Sequence, residues 1–172
     1  MCDDQSTMCT KLVITMPQHN FHDLKEVLAD FIRQEIGEPN YSYTLTFLPV
    51  YGSRRRLTKV MDATQSLRWF LRLLNDRCFG HSYRRKNIEV GFYATFEGLE
   101  IHEELHCHGA IRLPKKLSNK KFFSAFDYAR CNTKRLGPHF DLKPYEDEGW
   151  IRYSLKTGID SFQPEFLRRG VP

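Results

Sequence analysis

The feature of this sequence that most constrains its fold is a stretch that alternates apolar and polar residues with a period of two. It reads RRKNIEVGFYATFE, from Arg84 to Glu97. Successive side chains of a β-strand point to opposite faces of a sheet. One face of the predicted strand therefore carries Ile88, Val90, Phe92, Ala94 and Phe96. The turn GLEIHE and a second apolar run, ELHCHGAIRL at residues 104–113, follow, so we predict an antiparallel hairpin with one face in the core.

Capping residues and apolar stripes indicate helices elsewhere in the chain. They predict four helices: one from Asn20 to Gly37, one from a capping box of Asp62 and Gln65 to Gly80, one from Ser118, and one over residues 145–158. Further strands are predicted at residues 11–16, 41–49 and 139–144. This mixed order favours an α+β fold, with a central antiparallel sheet of about five strands flanked by helices.

The length of 172 residues suits a single core. We expect residues 1–40 to form a strand and helix extension packed on the domain, 41–160 to form the core, and 161–172 to form a C-terminal tail. Five cysteines without a C-x-x-C pair argue against a disulfide framework or a zinc ribbon. No apolar run approaches 18 residues and the N-terminus MCDDQSTMCT is acidic, so we expect an intracellular protein with no membrane span. The net charge of +5 favours an anionic partner.

Two histidines stand one residue apart in the second strand of the hairpin. On a strand His106 and His108 point the same way, whereas Cys107 points to the other face and should be a core residue. The two imidazoles can converge on one metal ion, and Glu97 can reach them across the hairpin. Two histidines and a carboxylate accept Mn²⁺ or Mg²⁺ as readily as zinc. Glu104 is the rival third ligand, and a solvated strand face without metal is the alternative.

A tyrosine and a lysine share one face of the last predicted helix. Tyr153 and Lys156 are three residues apart. A nearby cation favours the phenolate of a tyrosine and so makes it a better nucleophile. The alternative is a surface tyrosine beside a surface lysine with no function.

Taken in order, these motifs resemble those of the HUH endonucleases, the replication initiators of rolling-circle plasmids and of small viruses with circular single-stranded DNA. The resemblance spans residues 41–158. Thr44, Leu45, Thr46, Phe47 and Pro49 resemble the family's origin-recognition strand, His106, Cys107 and His108 its histidine pair, and Tyr153 and Lys156 its Y-x-x-K motif. Cys107 stands where the family has a bulkier hydrophobic residue.

The resemblance implies a metal-dependent enzyme that nicks and joins single-stranded DNA. Glu97, His106 and His108 would hold one Mn²⁺ or Mg²⁺ ion, Tyr153 would attack the phosphate, and Lys156 would help to position it. Because no second tyrosine follows Tyr153 by one turn, a single-tyrosine initiator of rolling-circle replication fits best, and a single-tyrosine transposase is the next alternative. Partners would be single-stranded or hairpin origin DNA, a separate helicase and host replication proteins. The protein would be cytoplasmic in a bacterium and nuclear for a eukaryotic virus.

Basic and aromatic residues near these motifs are predicted to contact the DNA. The candidates are Tyr43, Thr44, Thr46, Arg54, Arg55, Arg56, Arg84, Arg85 and Lys86. Two other functions remain open from the sequence. One is a non-catalytic nucleic-acid-binding module with structural histidines, and the other is a small zinc hydrolase.

Overall fold

Four antiparallel strands form one sheet in the order β2-β3-β1-β4. The computed structural model describes residues 21–48, 56–100, 103–146 and 149–170. The strands are β1 Tyr41–Phe47, β2 Gly91–Glu97, β3 His106–Arg112 and β4 Leu136–Pro144. The helices are α1 Phe21–Ile36, α2 Arg56–Phe79, α3 His81–Lys86, α4 Asn119–Cys131 and α5 Gly149–Ser154. The α+β class and the hairpin of β2 and β3 are confirmed.

Within the described residues the sheet has four strands and not about five as the sequence suggested. The additional strand was assigned to residues 11–16, which lie outside the described residues. β3 is central and pairs with β2 on one side and with β1 on the other.

One face of the sheet packs against α2 and α4 and forms the main core. Alternate residues of the strands supply this face, and Phe92, Phe96 and Cys107 are fully buried in it. The helices contribute a stripe of apolar side chains: Leu67, Phe70, Leu71, Leu74, Phe122 and Phe126. Burial raises the pKa of the Cys107 thiol to about 12, so Cys107 is a core residue as predicted and stays protonated.

Among the residues that the structure describes, α1, α5 and the segment that follows α5 cover part of the opposite face. Ile32 and Ile36 of α1 and Ile151 of α5 pack with Tyr93 and Ala110 of the sheet. These residues pack over the part of β2 and β3 that contains Tyr93 and Ala110. Histidine and threonine side chains occupy the remainder of the same face on β3 and β1.

Tyr43 lies in the main core, so the prediction that it stacks on unpaired DNA bases is wrong. Its position on β1 turns it to the face covered by α2 and α4, and only 1% of it is exposed. Its ring stacks on Phe92 with centroids 4.9 Å apart, and its hydroxyl donates a hydrogen bond to the carbonyl oxygen of Tyr93 at 2.9 Å. Burial raises the pKa of Tyr43 well above its usual value.

Three predicted helix boundaries are also wrong, one of them the start of the last helix, which begins at Gly149 and not at residue 145. α2 begins at Arg56, six residues before Asp62, whose carboxylate pairs with Arg135 and does not cap a helix. α5 ends at Ser154 and not at Gly158. Beyond α5 the chain forms tight turns, in which the backbone N–H of Lys156 donates a hydrogen bond of 2.9 Å to the carbonyl oxygen of Tyr153. The start at Ser118 is confirmed, since its hydroxyl accepts from the N–H of Lys121.

The segment after residue 160 runs along the outer edge of β2, although the sequence suggested a tail. Phe92 and Arg168 exchange two backbone hydrogen bonds, of 2.9 and 2.8 Å. Phe166 is buried against the main core. This segment therefore covers an edge that would otherwise present unpaired backbone groups.

Within the four described ranges, no helix has the length and apolar character that a membrane span requires.

Because Gly109 has no side chain, the backbone of β3 can pack closely against Tyr43 and Tyr93. A Cβ atom on Gly109 would lie 2.0 Å from the carbonyl oxygen of Tyr93 and 2.6 Å from the hydroxyl oxygen of Tyr43. We expect Gly109→Ala to lower the free energy of unfolding by about 1–3 kcal/mol, the usual cost of overpacking a core. Urea unfolding of the variant and the unmodified protein measures this difference.

The matched control is Gly137→Ala in β4, where the added Cβ would lie 3.2 Å from the nearest atom, the carbonyl oxygen of Thr46. It should cost less than Gly109→Ala. Equal midpoints for Gly109→Ala and the unmodified protein would contradict this account of β3.

Candidate functional site

His106 and His108 lie side by side on the face of β3 that α2 and α4 do not cover. Their ring centroids are 6.2 Å apart and the rings are inclined by 26°. His108 is buried, with 8% exposed, and His106 is half-buried. The alternation predicted from the sequence therefore places both imidazoles on one side of the sheet.

Each histidine has a threonine hydroxyl beside its Nδ1 atom. Thr44 pairs with His108 and Thr46 with His106 in the register of β1 and β3. The distances from hydroxyl oxygen to Nδ1 are 2.9 Å for Thr44 and 3.2 Å for Thr46. Occupied Nδ1 atoms orient both rings and leave the Nε2 atoms for other partners, the arrangement common in metal-binding histidines.

Acidic side chains face both Nε2 atoms. Glu97 ends β2, and its Oε2 lies 2.8 Å from Nε2 of His108. Glu104 Oε2 lies 4.0 Å from Nε2 of His106, and 80% of the Glu104 side chain is exposed. Of the two acids considered from the sequence, Glu97 makes the closer contact with the histidine pair.

Glu97 also contacts Lys156, so its carboxylate joins the sheet to the segment after α5. Its Oε1 lies 2.9 Å from Nζ of Lys156. Burial raises the pKa of Glu97, but the hydrogen bonds and charges of Lys156 and His108 outweigh burial and hold that pKa below its usual value. Glu97 is therefore a carboxylate at neutral pH.

His108 is held as a neutral imidazole. Burial lowers its pKa, and the hydrogen bond and charge of Glu97 offset this only in part. A neutral ring is the form that can donate its Nε2 lone pair to a metal ion.

Tyr153 and Lys156 lie beside this group. Lys156 Nζ donates a hydrogen bond of 2.9 Å to the hydroxyl of Tyr153 and lies 4.2 Å from the centre of its ring. The hydrogen bonds to Tyr153 and to Glu97 raise the pKa of Lys156. Tyr153 is 48% exposed. An ammonium group next to an accessible phenol can offset the negative charge of a phosphate that approaches the hydroxyl.

Trp150 anchors the helix that carries Tyr153, and sequence reasoning missed it. Its Nε1 donates to the carbonyl of Gly109 at 2.8 Å. Its ring stacks on Tyr153, with centroids 5.4 Å apart, and meets His108 edge to face at 6.0 Å. A tryptophan three residues before a tyrosine on one helix is the signal that could have identified this contact.

The donor set suits a divalent cation, although the side chains do not form a closed cage. Among the residues that the structure describes, no group of three His, Cys, Asp or Glu side chains is arranged to hold an ion. The oriented Nε2 atoms and the ionised Glu97 nevertheless match the nitrogen and oxygen ligands of Mn²⁺ or Mg²⁺ sites. With Glu97 ionised and His108 neutral, the 2.8 Å hydrogen bond between them places a proton on Nε2 of His108. An ion bound at Nε2 would take the place of this proton, and the remaining ring proton would then lie on Nδ1 beside Thr44.

Three of the six basic residues predicted to bind DNA are placed by the structure, and all three lie apart from this cluster. Arg84, Arg85 and Lys86 lie on α3, before the start of β2, whereas Glu97 is at the end of β2. The rise of a strand separates these points by about 20 Å. Arg54 and Arg55 lie outside the described residues, and the structure describes Arg56 only as the first residue of α2.

No protein-family model, curated protein or solved structure matches this chain.

If the threonines orient the histidines for an ion, removing one hydroxyl should weaken ion binding. We expect Thr44→Val, which leaves Nδ1 of His108 without its partner, to lower the affinity for Mn²⁺ about 10- to 100-fold. Titration of the protein with Mn²⁺, followed by the paramagnetic resonance signal of the free ion, measures the affinity.

Ser42→Ala is the matched control, because Ser42 lies on the same strand and the same face and pairs with Ala110. It should leave the affinity unchanged. Equal Mn²⁺ affinities for Thr44→Val and the unmodified protein would contradict the orienting role.

Proposed function

We propose that this protein is a metal-dependent DNA-nicking and joining enzyme of the single-tyrosine HUH type, with Tyr153 as the nucleophile. One observation carries the proposal. The Tyr153 hydroxyl, the Lys156 ammonium, the Glu97 carboxylate and the His108 imidazole form an unbroken series of contacts of 2.8–2.9 Å. These groups come from three separate parts of the chain, and the oriented histidine pair stands at one end of the series.

The reaction is a transesterification. The phenolic oxygen of Tyr153 attacks the phosphorus of a DNA phosphodiester, the bond from phosphorus to the 3′-oxygen breaks, and a 5′-phosphotyrosyl link forms. The phenolic proton leaves through solvent and the 3′-oxygen takes up a proton. The reverse attack by a 3′-hydroxyl rejoins the strand. The reaction needs neither water as a nucleophile nor ATP.

Lys156 has two tasks in this reaction. Its ammonium, 2.9 Å from the Tyr153 hydroxyl, would orient that hydroxyl for attack, and it would offset the negative charge that builds on the phosphate. Its contact with Oε1 of Glu97 fixes it in place and leaves Oε2 on the side of the histidines.

Glu97, His106 and His108 would hold the divalent ion. When bound, the ion supplies Lewis-acid polarisation of the scissile phosphate. The two threonines keep Nε2 of each histidine turned towards it.

The proposal includes the process in which the enzyme would act, the initiation of rolling-circle replication. An intracellular initiator of rolling-circle replication would act on single-stranded or hairpin origin DNA together with a separate helicase and host replication proteins. A four-stranded antiparallel sheet with helices supports the HUH-type fold. A single-tyrosine transposase would use the same chemistry.

A second candidate function is a non-catalytic nucleic-acid-binding module. The direct contact of Glu97 with His108, without a closed set of three ligands among the described side chains, favours this alternative. It predicts DNA binding without a covalent product.

The test is covalent capture of DNA. The protein is incubated with Mn²⁺ and a fluorescent pool of single-stranded oligonucleotides of random sequence, and denaturing gels separate any adduct. We expect an adduct that EDTA abolishes and that falls about 1,000-fold or more in Tyr153→Phe, because the nucleophilic oxygen is removed.

Tyr128→Phe is the matched control, since Tyr128 is also exposed, at 39%, but lies on α4. It should form the adduct at the normal rate. An undiminished adduct in Tyr153→Phe would refute the nucleophile, and the absence of any adduct from the unmodified protein would favour the binding module.

A further inference from the structure

A pocket of about 390 Å³ opens beside Tyr153, and neither His106 nor His108 is part of its lining. We call it the Trp150 pocket. Its lining includes Ser42, Lys143, Pro144, Glu146, Trp150 and Tyr153. Ser42 and Lys143 are partners in the register of β1 and β4, so the floor of the pocket is the sheet, and α5 forms one wall.

The aromatic wall of the pocket is held rigidly. The hydrogen bond from Trp150 Nε1 to the Gly109 carbonyl fixes the indole, and the Tyr153 ring stacks on it. Pro144 adds a second apolar surface. A fixed aromatic wall binds a flat ring at a small entropic cost, because its side chains are already in place.

The charges around the pocket do not favour a phosphate group. Lys143 is neutralised by Asp141, with Nζ and Oδ2 2.6 Å apart, and Glu146 brings a further negative charge. Lys156, the cation beside the Tyr153 hydroxyl, is not part of the lining. The pocket therefore suits an uncharged planar group, and its volume lies within the usual range of small-molecule sites, about 300–1,000 Å³.

We propose that the Trp150 pocket binds one nucleobase of single-stranded DNA, that of the nucleotide next to the scissile phosphate. This inference rests on the proposed function, because the pocket adjoins the proposed nucleophile. A base held in this pocket places its own phosphate next to the Tyr153 hydroxyl. Stacking on aromatic side chains is the usual way in which unpaired bases are bound.

The two tryptophans of the chain, Trp69 and Trp150, provide a test that does not depend on cleavage. Trp69→Phe leaves Trp150 as the sole tryptophan. In the presence of EDTA, we expect oligodeoxyadenylate to quench the fluorescence of this variant in a saturable manner. An oligomer of abasic deoxyribose phosphate, which has the same charge but no bases, should not quench it.

Trp150→Phe provides a second measurement. Anisotropy of labelled oligodeoxyadenylate should show binding about tenfold weaker than that of the unmodified protein, because the stacking surface is reduced. The control Trp69→Phe should bind with normal affinity.

The outcomes separate the two proposals. Equal quenching by the abasic oligomer, or no quenching at all, would overturn the nucleobase pocket even if Tyr153 forms an adduct with DNA. Base-dependent quenching without any adduct in Mn²⁺ would support the pocket and overturn the nicking function.

Discussion

The pairing of β3 with both of its neighbours is the constraint on which the rest of this structure depends. Every second residue of β3 enters the core under α2 and α4, and the residues between them face the other side. A slip of one residue would exchange these faces, turning His106 and His108 into the apolar core under α2 and α4 and turning Cys107 out of it. The same register brings Thr44 and Thr46 of β1 next to the histidines and Glu97 of β2 across from them.

Tertiary contacts hold the catalytic candidates in place, since α5 has only six residues. Helices this short are unstable alone. Trp150 ties α5 to β3 through the Gly109 carbonyl, and Lys156 ties the following turn to Glu97. Gly109 thus serves two purposes, because it leaves room for Tyr43 on one side and accepts from Trp150 on the other. The position of Tyr153 follows from these two anchors and from its stacking on Trp150.

The sequence correctly predicted the elements that depend on the alternation of apolar and polar residues and on the helix cap at Ser118. Alternation in β2 and β3 located the hairpin, turned Cys107 inwards and placed Glu97 within reach of the histidines. It did not place Tyr43, because deciding which face of β1 is buried needs knowledge of its neighbours. The start of α2 was missed because Asp62 resembles a cap but pairs with Arg135 in the fold. The hydrogen bond from Trp150 to Gly109 and the two threonine contacts were missed because they join residues at least 41 positions apart in the chain.

The most direct test of the central claim is to locate the covalent bond itself. After reaction with DNA in Mn²⁺ and nuclease digestion, trypsin should release residues 153–156, Tyr-Ser-Leu-Lys, because Arg152 precedes this peptide and Lys156 ends it. Tandem mass spectrometry should find this peptide carrying a 5′-linked nucleotide on the oxygen of Tyr153. A nucleotide on any other residue, or an unmodified peptide from an adduct that is otherwise present, would contradict the account.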